Sequence, residues 1–316
     1  MKGMNDTMKK RRLWRDIKAN KLIYILLLPA ILTTFVFAYM PMPGIIIAFQ
    51  DYKPLLGPWK SPFVGLDVFK RIFSSRMIMD SVGNTVYLNV LNLLVTFPAP
   101  ILLALMLNEV RCSIFKRVIQ TVSYLPYFLS WISVVGLVQT ILGLYGPVND
   151  LLALFGGSNF ERILFLGQQK YFIPTYLILN LWKGTGWGTV IYLAAISGID
   201  MQLYEAATID GANKLQQIWH ITLPAIRQTA ILLLIMSIGG LFGSNFELVY
   251  ALQNPYIDFE VISTAVYKIG LQQGDYPLGT ALNLIQGLIG FALVATANFI
   301  SKKVTDVGLW LSLIHI

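Results

Sequence analysis

Two charged side chains lie in apolar stretches that are long enough to sit in a membrane, and they are the first candidates for chemistry. Lys183 lies within the apolar stretch 171–199, and Glu247 follows the apolar stretch 228–246. Charges inside a membrane are costly, so they commonly mark a solute pathway. Lys183 is therefore a cation lining a cavity, a structural partner of Glu247, or a side chain that reaches a membrane interface. Glu247 is the stronger pathway candidate, because a carboxylate there has little other reason to exist.

Amide and aromatic side chains in similar stretches suit a hydroxyl-rich ligand. Amides donate and accept hydrogen bonds, and aromatic rings offer a flat face to a sugar ring. Hydrogen bonds between helices and aromatic belts at membrane interfaces explain such residues equally well. The further pathway candidates are Asn89, Asn92, Trp187, Tyr192, Asn245, Tyr250, Asn283 and Gln286.

The loop 200–224 is predicted to form two short helices. Asp200 is a good N-cap, Gly211 can take the left-handed conformation that ends a helix, and Pro224 sets a limit on the second helix. Apolar residues of the second helix recur at three- and four-residue spacing and form one face that so short a loop cannot bury. These residues are Leu215, Ile218, Trp219 and Leu223. Something outside the loop must cover that face.

This loop resembles the EAA loop of the membrane permeases of ATP-binding-cassette (ABC) importers. Several other short motifs resemble the oligosaccharide and polysaccharide permeases of that superfamily, and the resemblance extends over about 21–310. The loop motif consists of Glu205-Ala206-Ala207, Asp210-Gly211-Ala212, Ile221 and Leu223-Pro224. The other motifs are Trp182-Lys183-Gly-Thr-Gly-Trp-Gly-Thr, Gly239-Gly240, Asn245-Phe-Glu247, Asn254-Pro255 and Val261-Ile-Ser-Thr. Ile218 departs from the pattern, since many relatives carry an aromatic residue there.

The resemblance implies an all-α membrane protein with six transmembrane helices and the type I ABC importer permease fold. It implies that the loop 200–224 docks in a cleft of an ATPase subunit. The coupling residues would be Glu205, Ala206, Ala207, Asp210, Gly211, Ile218, Trp219, Leu223 and Pro224. It also implies a second permease, in a heterodimer with this chain, two ATPase subunits that bind ATP and Mg²⁺, an extracytoplasmic sugar-binding protein, and an oligosaccharide as substrate.

The motifs of the common enzyme classes do not occur in the sequence. No Gly-Lys dipeptide exists, so the phosphate-binding loop Gly-x-x-x-x-Gly-Lys-Ser/Thr cannot form, and any ATP must bind a separate protein. With two His residues and Cys112 as the one cysteine, we expect no metal site and no intrachain disulfide. We also expect no enzymatic activity and no cofactor in this chain.

Composition places most of the chain in lipid. Of its 316 residues 56% are apolar and 13% are charged, with a mean hydropathy of +0.64. Soluble domains carry about 25% charged residues. A helix needs about 20 apolar residues to cross a bilayer. The sequence therefore predicts a permease domain over 22–301 with six spans, at 22–50, 81–108, 118–145, 171–199, 228–250 and 276–301.

The distribution of Lys and Arg predicts the orientation. With the N-terminus in the cytoplasm, fifteen Lys/Arg lie on the cytoplasmic side and eight lie outside. Cationic flanks stay cytoplasmic, so we expect a multi-pass protein of the bacterial cytoplasmic membrane with both termini inside. Of the net charge of +8, the basic tail 1–21 carries +6, which anchors the topology rather than binding nucleic acid.

Two further expectations concern the tail and the competing function. A cytoplasmic tail is expected at 302–310, whereas 311–316 back-translate to a common sequencing adapter and are interpreted as non-native. The competing function is a secondary transporter or channel that uses Lys183 and Glu247 as coupling charges.

Overall fold

The structure is a computed structural model that describes residues 19–156, 160–305 and 307–309. Within these ranges the chain is helical and contains no β-strand beyond an isolated bridge between Gln50 and Phe63. Most of the basic tail 1–21 and the segment 311–316 lie outside the described residues. The α-helices are Lys21–Thr34, Asp67–Ser74, Arg76–Thr96, Pro98–Glu109, Ser113–Tyr124, Trp131–Ile141, Pro147–Gly156, Gln169–Ser197, Met201–Ile209, Lys214–Gln217, Leu223–Gly239, Phe246–Leu252, Ile262–Val266 and Tyr276–Thr305. The 3₁₀ segments are Met42–Phe49, Leu125–Phe128, Phe165–Gly167 and Gly240–Phe242, and the π-helical segments are Phe35–Tyr39, Ile218–Thr222 and Tyr267–Gln272.

Four helical segments of the described chain are long and apolar enough to cross a membrane. They are Lys21–Phe49, Arg76–Glu109, Lys214–Phe242 and Tyr276–Thr305. A fifth span forms if Ser113–Phe128 and Trp131–Ile141, which meet at 103°, are two arms of one broken span. The remaining predicted span coincides with the helix Gln169–Ser197, which is unbroken over 29 residues. Its apolar sequence is interrupted by polar residues and glycines. The count of six spans therefore stays a prediction.

Two helix ends differ from those expected. The second loop helix does not stop at Pro224, because Lys214–Phe242 is one continuous helical segment. Proline lacks an N–H and crowds the carbonyl one turn earlier. The π-helical segment Ile218–Thr222 lies directly before this proline, where a wider turn relieves that conflict. The expected span 228–250 is also broken, since the chain leaves the helix after Phe242 and begins a new one at Phe246.

The helix Gln169–Ser197, here called the central helix, organises the bundle. It contacts the helices Arg76–Thr96, Pro98–Glu109, Ser113–Tyr124 and Leu223–Gly239. Its N-terminal half contributes Phe172, Tyr176 and Leu179 to one buried apolar cluster, and its C-terminal half contributes Tyr192 and Ile196 to another.

Two glycines allow the central helix to pack closely. A Cβ on Gly186 would overlap the backbone carbonyl of Ser123, and a Cβ on Gly188 would lie 2.8 Å from the Pro100 ring. Glycine lowers helix propensity, yet the helix is unbroken here because the neighbouring backbones fill the space that a side chain would need.

We expect Gly186→Ala to destabilise the bundle, because the added methyl group forces two helix backbones apart. Overpacking costs about 1–3 kcal/mol. The measurement is the thermal unfolding midpoint of the purified protein in detergent. Gly184→Ala is the matched control, since nothing lies within 4 Å of a Cβ at Gly184. Equal midpoints for the two variants would contradict this packing.

Candidate functional site

The loop 200–224, here called the coupling loop, begins with the helix and the turn that the sequence predicts. The Asp200 carboxylate accepts a hydrogen bond from the Gln202 N–H at 2.9 Å and caps the helix Met201–Ile209. Gly211 ends that turn with φ of +81°, a conformation that strains any residue with a Cβ. The Asp200 cap and the Gly211 turn are thus confirmed.

Polar residues that sequence reasoning missed join the two helices of the coupling loop. The buried Gln217 amide donates to the Thr208 hydroxyl at 2.9 Å and to the Ala212 carbonyl at 3.3 Å. The Tyr204 hydroxyl pairs with that of Thr222 at 2.9 Å. A glutamine on a helix gives no sequence signal for this role, because its partners are set by the turn at Gly211.

The apolar face that the loop cannot bury is covered in part by the rest of this chain. Ile218 and Leu223 pack against the chain's own buried cluster around Ile196 and Ile226. Leu215 and Trp219 are 77% and 70% exposed. The buried cluster therefore covers the side of this helix that carries Ile218 and Leu223. The opposite side, which carries Leu215 and Trp219, is open to another protein.

The EAA residues lie on the open side of the coupling loop. Ala207 is half-buried, whereas Glu205, Ala206, Asp210, Gly211 and Pro224 are exposed. Within the described chain the Glu205 carboxylate accepts no hydrogen bond and forms no ion pair.

Glu205 borders a groove of about 840 Å³ between the coupling loop and the end of the helix Pro98–Glu109. Glu109, Arg111 and Lys214 also line it, and Lys214 reaches the Glu109 carboxylate at 3.5 Å. The groove can therefore receive a polar partner beside a free carboxylate.

A second candidate site is a polar cavity of about 300 Å³ inside the bundle, here called the amide cavity. Asn89, Asn92 and Asn245, three of the predicted pathway residues, line it together. The helix break at 240–245 forms one wall, and the central helix forms another through Tyr176 and Asn180. Sequence reasoning missed Asn180, although an amide inside the apolar run 175–182 is a usable signal.

The amides of this cavity have distinct roles. The Asn89 amide donates to the Leu241 carbonyl at 3.0 Å, and Asn245 caps the helix Phe246–Leu252 by accepting from the Leu248 N–H at 3.2 Å. The Asn92 Oδ1 atom is buried and accepts no hydrogen bond from the described part of the chain. A buried acceptor without a partner is costly, and this sets Asn92 apart from the other amides of the cavity.

Lys183 bonds the chain at the bend between Ser113–Phe128 and Trp131–Ile141. Its ammonium donates to the Tyr127 carbonyl at 2.8 Å and lies 4.8 Å from the centre of the Trp131 ring. The side chain is 8% exposed. Glu247 is exposed and close enough to interact electrostatically with Lys183, but no salt bridge joins them in the described structure. A carbonyl and aromatic rings, rather than a carboxylate, hold this cation.

The aromatic candidates separate into three settings. Trp187 stacks on Tyr127 with ring centres 4.7 Å apart, and this half-exposed pair lies beside Lys183. Tyr250 belongs to a second aromatic group, with its ring centre 5.3 Å from that of Phe246. Tyr192 is buried in an apolar cluster and is not among the residues that line the amide cavity.

The two candidates on the last helix also separate. Gln286 lies at the wall of the helix break, where its Nε2 atom would be 3.6 Å from a Cβ on Gly243. Asn283 is exposed and is not among the residues that line the amide cavity.

A helical bundle with an open coupling loop and an internal polar cavity defines a membrane transport subunit. The chain belongs to the family of binding-protein-dependent transport system inner membrane components, whose model matches residues 96–305. This confirms the predicted all-helical type I permease fold and the membership in ABC importer permeases. The protein is a multi-pass component of the inner membrane.

Relatives of known designation extend over nearly the whole chain. The polygalacturonan/rhamnogalacturonan transport system permease protein YteP of Bacillus subtilis is 44% identical over 96% of this chain and 94% of its own length. Protein LplB of the same organism is 43% identical over 93% of this chain and 92% of its own length.

A solved structure shows the same fold. A chain of a bacterial ABC transporter involved in the import of the acidic polysaccharide alginate matches with a TM-score of 0.83 and 39% identity. The match covers 93% of this chain and 99% of that chain. A second structure of the alginate transporter, in complex with an alginate pentasaccharide-bound periplasmic protein, also gives a TM-score of 0.83.

We expect Gln217→Leu to loosen the coupling loop, because it leaves the Thr208 hydroxyl and the Ala212 carbonyl without their donor. A lost bond of this kind costs about 1 kcal/mol or more, which corresponds to about fivefold faster amide exchange. Hydrogen exchange over 207–217 measures this. Gln202→Leu, an exposed glutamine in the same loop, is the control, and equal exchange in both variants would contradict the role of Gln217.

Proposed function

We propose that this chain is one of two membrane subunits of an importer that carries an oligosaccharide, derived from a polysaccharide, into the cytoplasm. The observation that carries the proposal is the amide cavity with its unpaired Asn92 acceptor. Hydroxyl groups of a sugar donate the hydrogen bonds that this acceptor lacks. The substrates named for the relatives, polygalacturonan or rhamnogalacturonan and alginate, support the substrate class.

Partners supply the energy and the delivery of substrate. Two separate ATPase subunits bind ATP and Mg²⁺, a second and non-identical permease completes the pathway, and an extracytoplasmic protein delivers the sugar. This chain converts the motion of the ATPases into alternating access and catalyses no reaction itself. The excess of Lys and Arg on one side supports the orientation with both termini in the cytoplasm.

The exposed side of the coupling loop supports a docking role. Glu205 offers a free carboxylate, and Leu215 and Trp219 offer apolar surface close to it in sequence. Tryptophan is enriched among the residues that contribute most of the binding energy at a protein interface. The ATPase subunit would cover this surface.

Uptake by the assembled transporter in liposomes tests the function. With the binding protein and ATP present, we expect labelled oligogalacturonides or alginate oligosaccharides to enter, and a neutral maltooligosaccharide serves as the comparison. Uptake that proceeds without ATP would contradict the proposal and favour a secondary transporter or channel.

We expect Asn92→Leu to reduce sugar uptake about fivefold without loss of protein stability, since its acceptor contributes about 1 kcal/mol only when sugar is bound. Initial rates of uptake against sugar concentration measure the effect. Gln139→Leu also replaces an amide by leucine, at an exposed position that does not line the cavity and is not a pathway candidate, and it should transport normally. Equal losses in both variants would show that the sugar does not use this cavity.

We expect Glu205→Ala to reduce uptake about tenfold while ATP hydrolysis continues, because a hydrogen bond to a charged group contributes about 1.5–3 kcal/mol to docking. Gly211→Pro should act similarly, since proline cannot adopt the φ of +81° at this turn. Uptake and ATPase rates are compared on the same proteoliposomes, with Gln202→Ala as control. Normal uptake by both variants would overturn the coupling role.

A further inference from the structure

The helix Pro147–Gly156, here called the outer helix, has an apolar face with no partner in the described chain. Leu151, Leu154 and Phe155 lie at i, i+3 and i+4 and therefore share one side of the helix. Leu154 is 82% and Phe155 is 84% exposed. An exposed face of this kind on an inner-membrane protein needs lipid or another chain to cover it.

The outer helix starts directly at the end of the arm Trp131–Ile141. A Cβ on Gly146 would overlap the carbonyl of Thr140 and lie 2.6 Å from that of Ile141, so the helix starts against the last turn of Trp131–Ile141. The arm Trp131–Ile141 is, together with Ser113–Phe128, apolar enough to form one broken span, so the outer helix follows directly on a candidate membrane segment. Ile141, at the end of the arm, and Tyr145, just before the outer helix, are exposed as well.

A buried asparagine holds the outer helix in this position. Asn149 is fully buried, and its amide donates to the Gly143 carbonyl at 3.0 Å and to the Ile163 carbonyl at 2.8 Å. Its Oδ1 atom accepts from the Ile163 N–H at 2.8 Å. The helix is therefore held at both flanks, so its apolar face is presented in one orientation.

An ion pair and an aromatic ring beside the outer helix suit a lipid headgroup layer. Arg162 bonds Asp150 at 2.8 Å and lies 5.2 Å from the centre of the Tyr145 ring. Tyrosine and arginine are favoured at membrane interfaces, where one end of the side chain is apolar and the other is wet. A soluble binding protein would instead need a polar rim with free hydrogen-bonding groups.

We propose that the outer helix lies in the interface of the bilayer, with Leu151, Leu154 and Phe155 inserted among the lipids. The occupant of this face is lipid rather than the binding protein or the second permease. The sidedness in the proposed function names the leaflet as the outer one, but the contact with lipid does not depend on the identity of the transported sugar.

Site-directed spin labelling tests this inference, and the single Cys112 makes it practicable. Phe155→Cys and Leu154→Cys are made in a Cys112→Ser background, labelled, and reconstituted in liposomes within the assembled transporter. Glu161→Cys, at an exposed position near Arg162, is the matched control. Frequent collisions of the spin label with oxygen show that the label lies in lipid. Frequent collisions with a water-soluble nickel chelate show that it lies in solvent.

We expect the ratio of oxygen to nickel collisions to be several-fold higher at 154 and 155 than at 161. Free access of nickel to 155 that is lost on adding the binding protein would assign the face to that protein and overturn the inference. Low collision rates with both reagents would assign the face to the second permease and would also overturn it. If either label prevents assembly, Leu151→Cys reports on the same face. Loss of sugar uptake by other variants has no bearing on this ratio.

Discussion

The fold depends on one constraint: inside the hydrocarbon layer every backbone N–H and C=O must find a partner within the protein. Continuous helices meet this constraint by themselves, but the chain breaks its helices near Ser130 and between Phe242 and Phe246. At each break a polar side chain supplies the missing partner. Lys183 bonds the Tyr127 carbonyl at the first break, and Asn89 bonds the Leu241 carbonyl at the second.

Some polar residues in the apolar stretches bond the backbone at the helix breaks and therefore have a structural role. Asn89, Asn245 and Lys183 each stand in an apolar stretch, and each of them serves a broken helix. Their presence in the membrane is therefore explained without a solute. Asn92 is different because its oxygen atom is buried and bonds no described residue. The cavity thus exists because the helix is broken. The acceptor proposed to bind a hydroxyl group is the oxygen atom of Asn92, which takes no part in the hydrogen bonds at the break.

Local signals in the sequence predicted much of the coupling loop, and long-range packing decided the rest. The cap at Asp200 and the turn at Gly211 depend on a few neighbouring residues, so composition and spacing were sufficient. The helix through Pro224 was missed because the adjacent π-helical turn has no sequence signature. The burial of Tyr192 and Ile218 was also missed, because it depends on helices distant in sequence. Polar residues inside spans were found by type, but their partners were not, since a partner 56 residues away, as for Lys183 and Tyr127, leaves no pattern.

The continuous segment Lys214–Phe242 connects the two candidate sites. Its first turns carry Leu215 and Trp219 on the open side of the coupling loop, and its last turns contribute Ser237 and Leu241 to the wall of the amide cavity. At 1.5 Å per residue, its 29 residues extend over about 44 Å. A helix transmits displacement along its axis with little loss, so a shift of the loop must move the cavity wall unless the π-helical turn absorbs it. The π-helical turn contains Trp219, and beyond it the helical segment continues without a break to Phe242 at the cavity. The part of the helix beyond the π-helical turn is therefore one element that reaches the cavity wall, and the close backbone approach of Gly239 to Gly290 aligns it against the last helix.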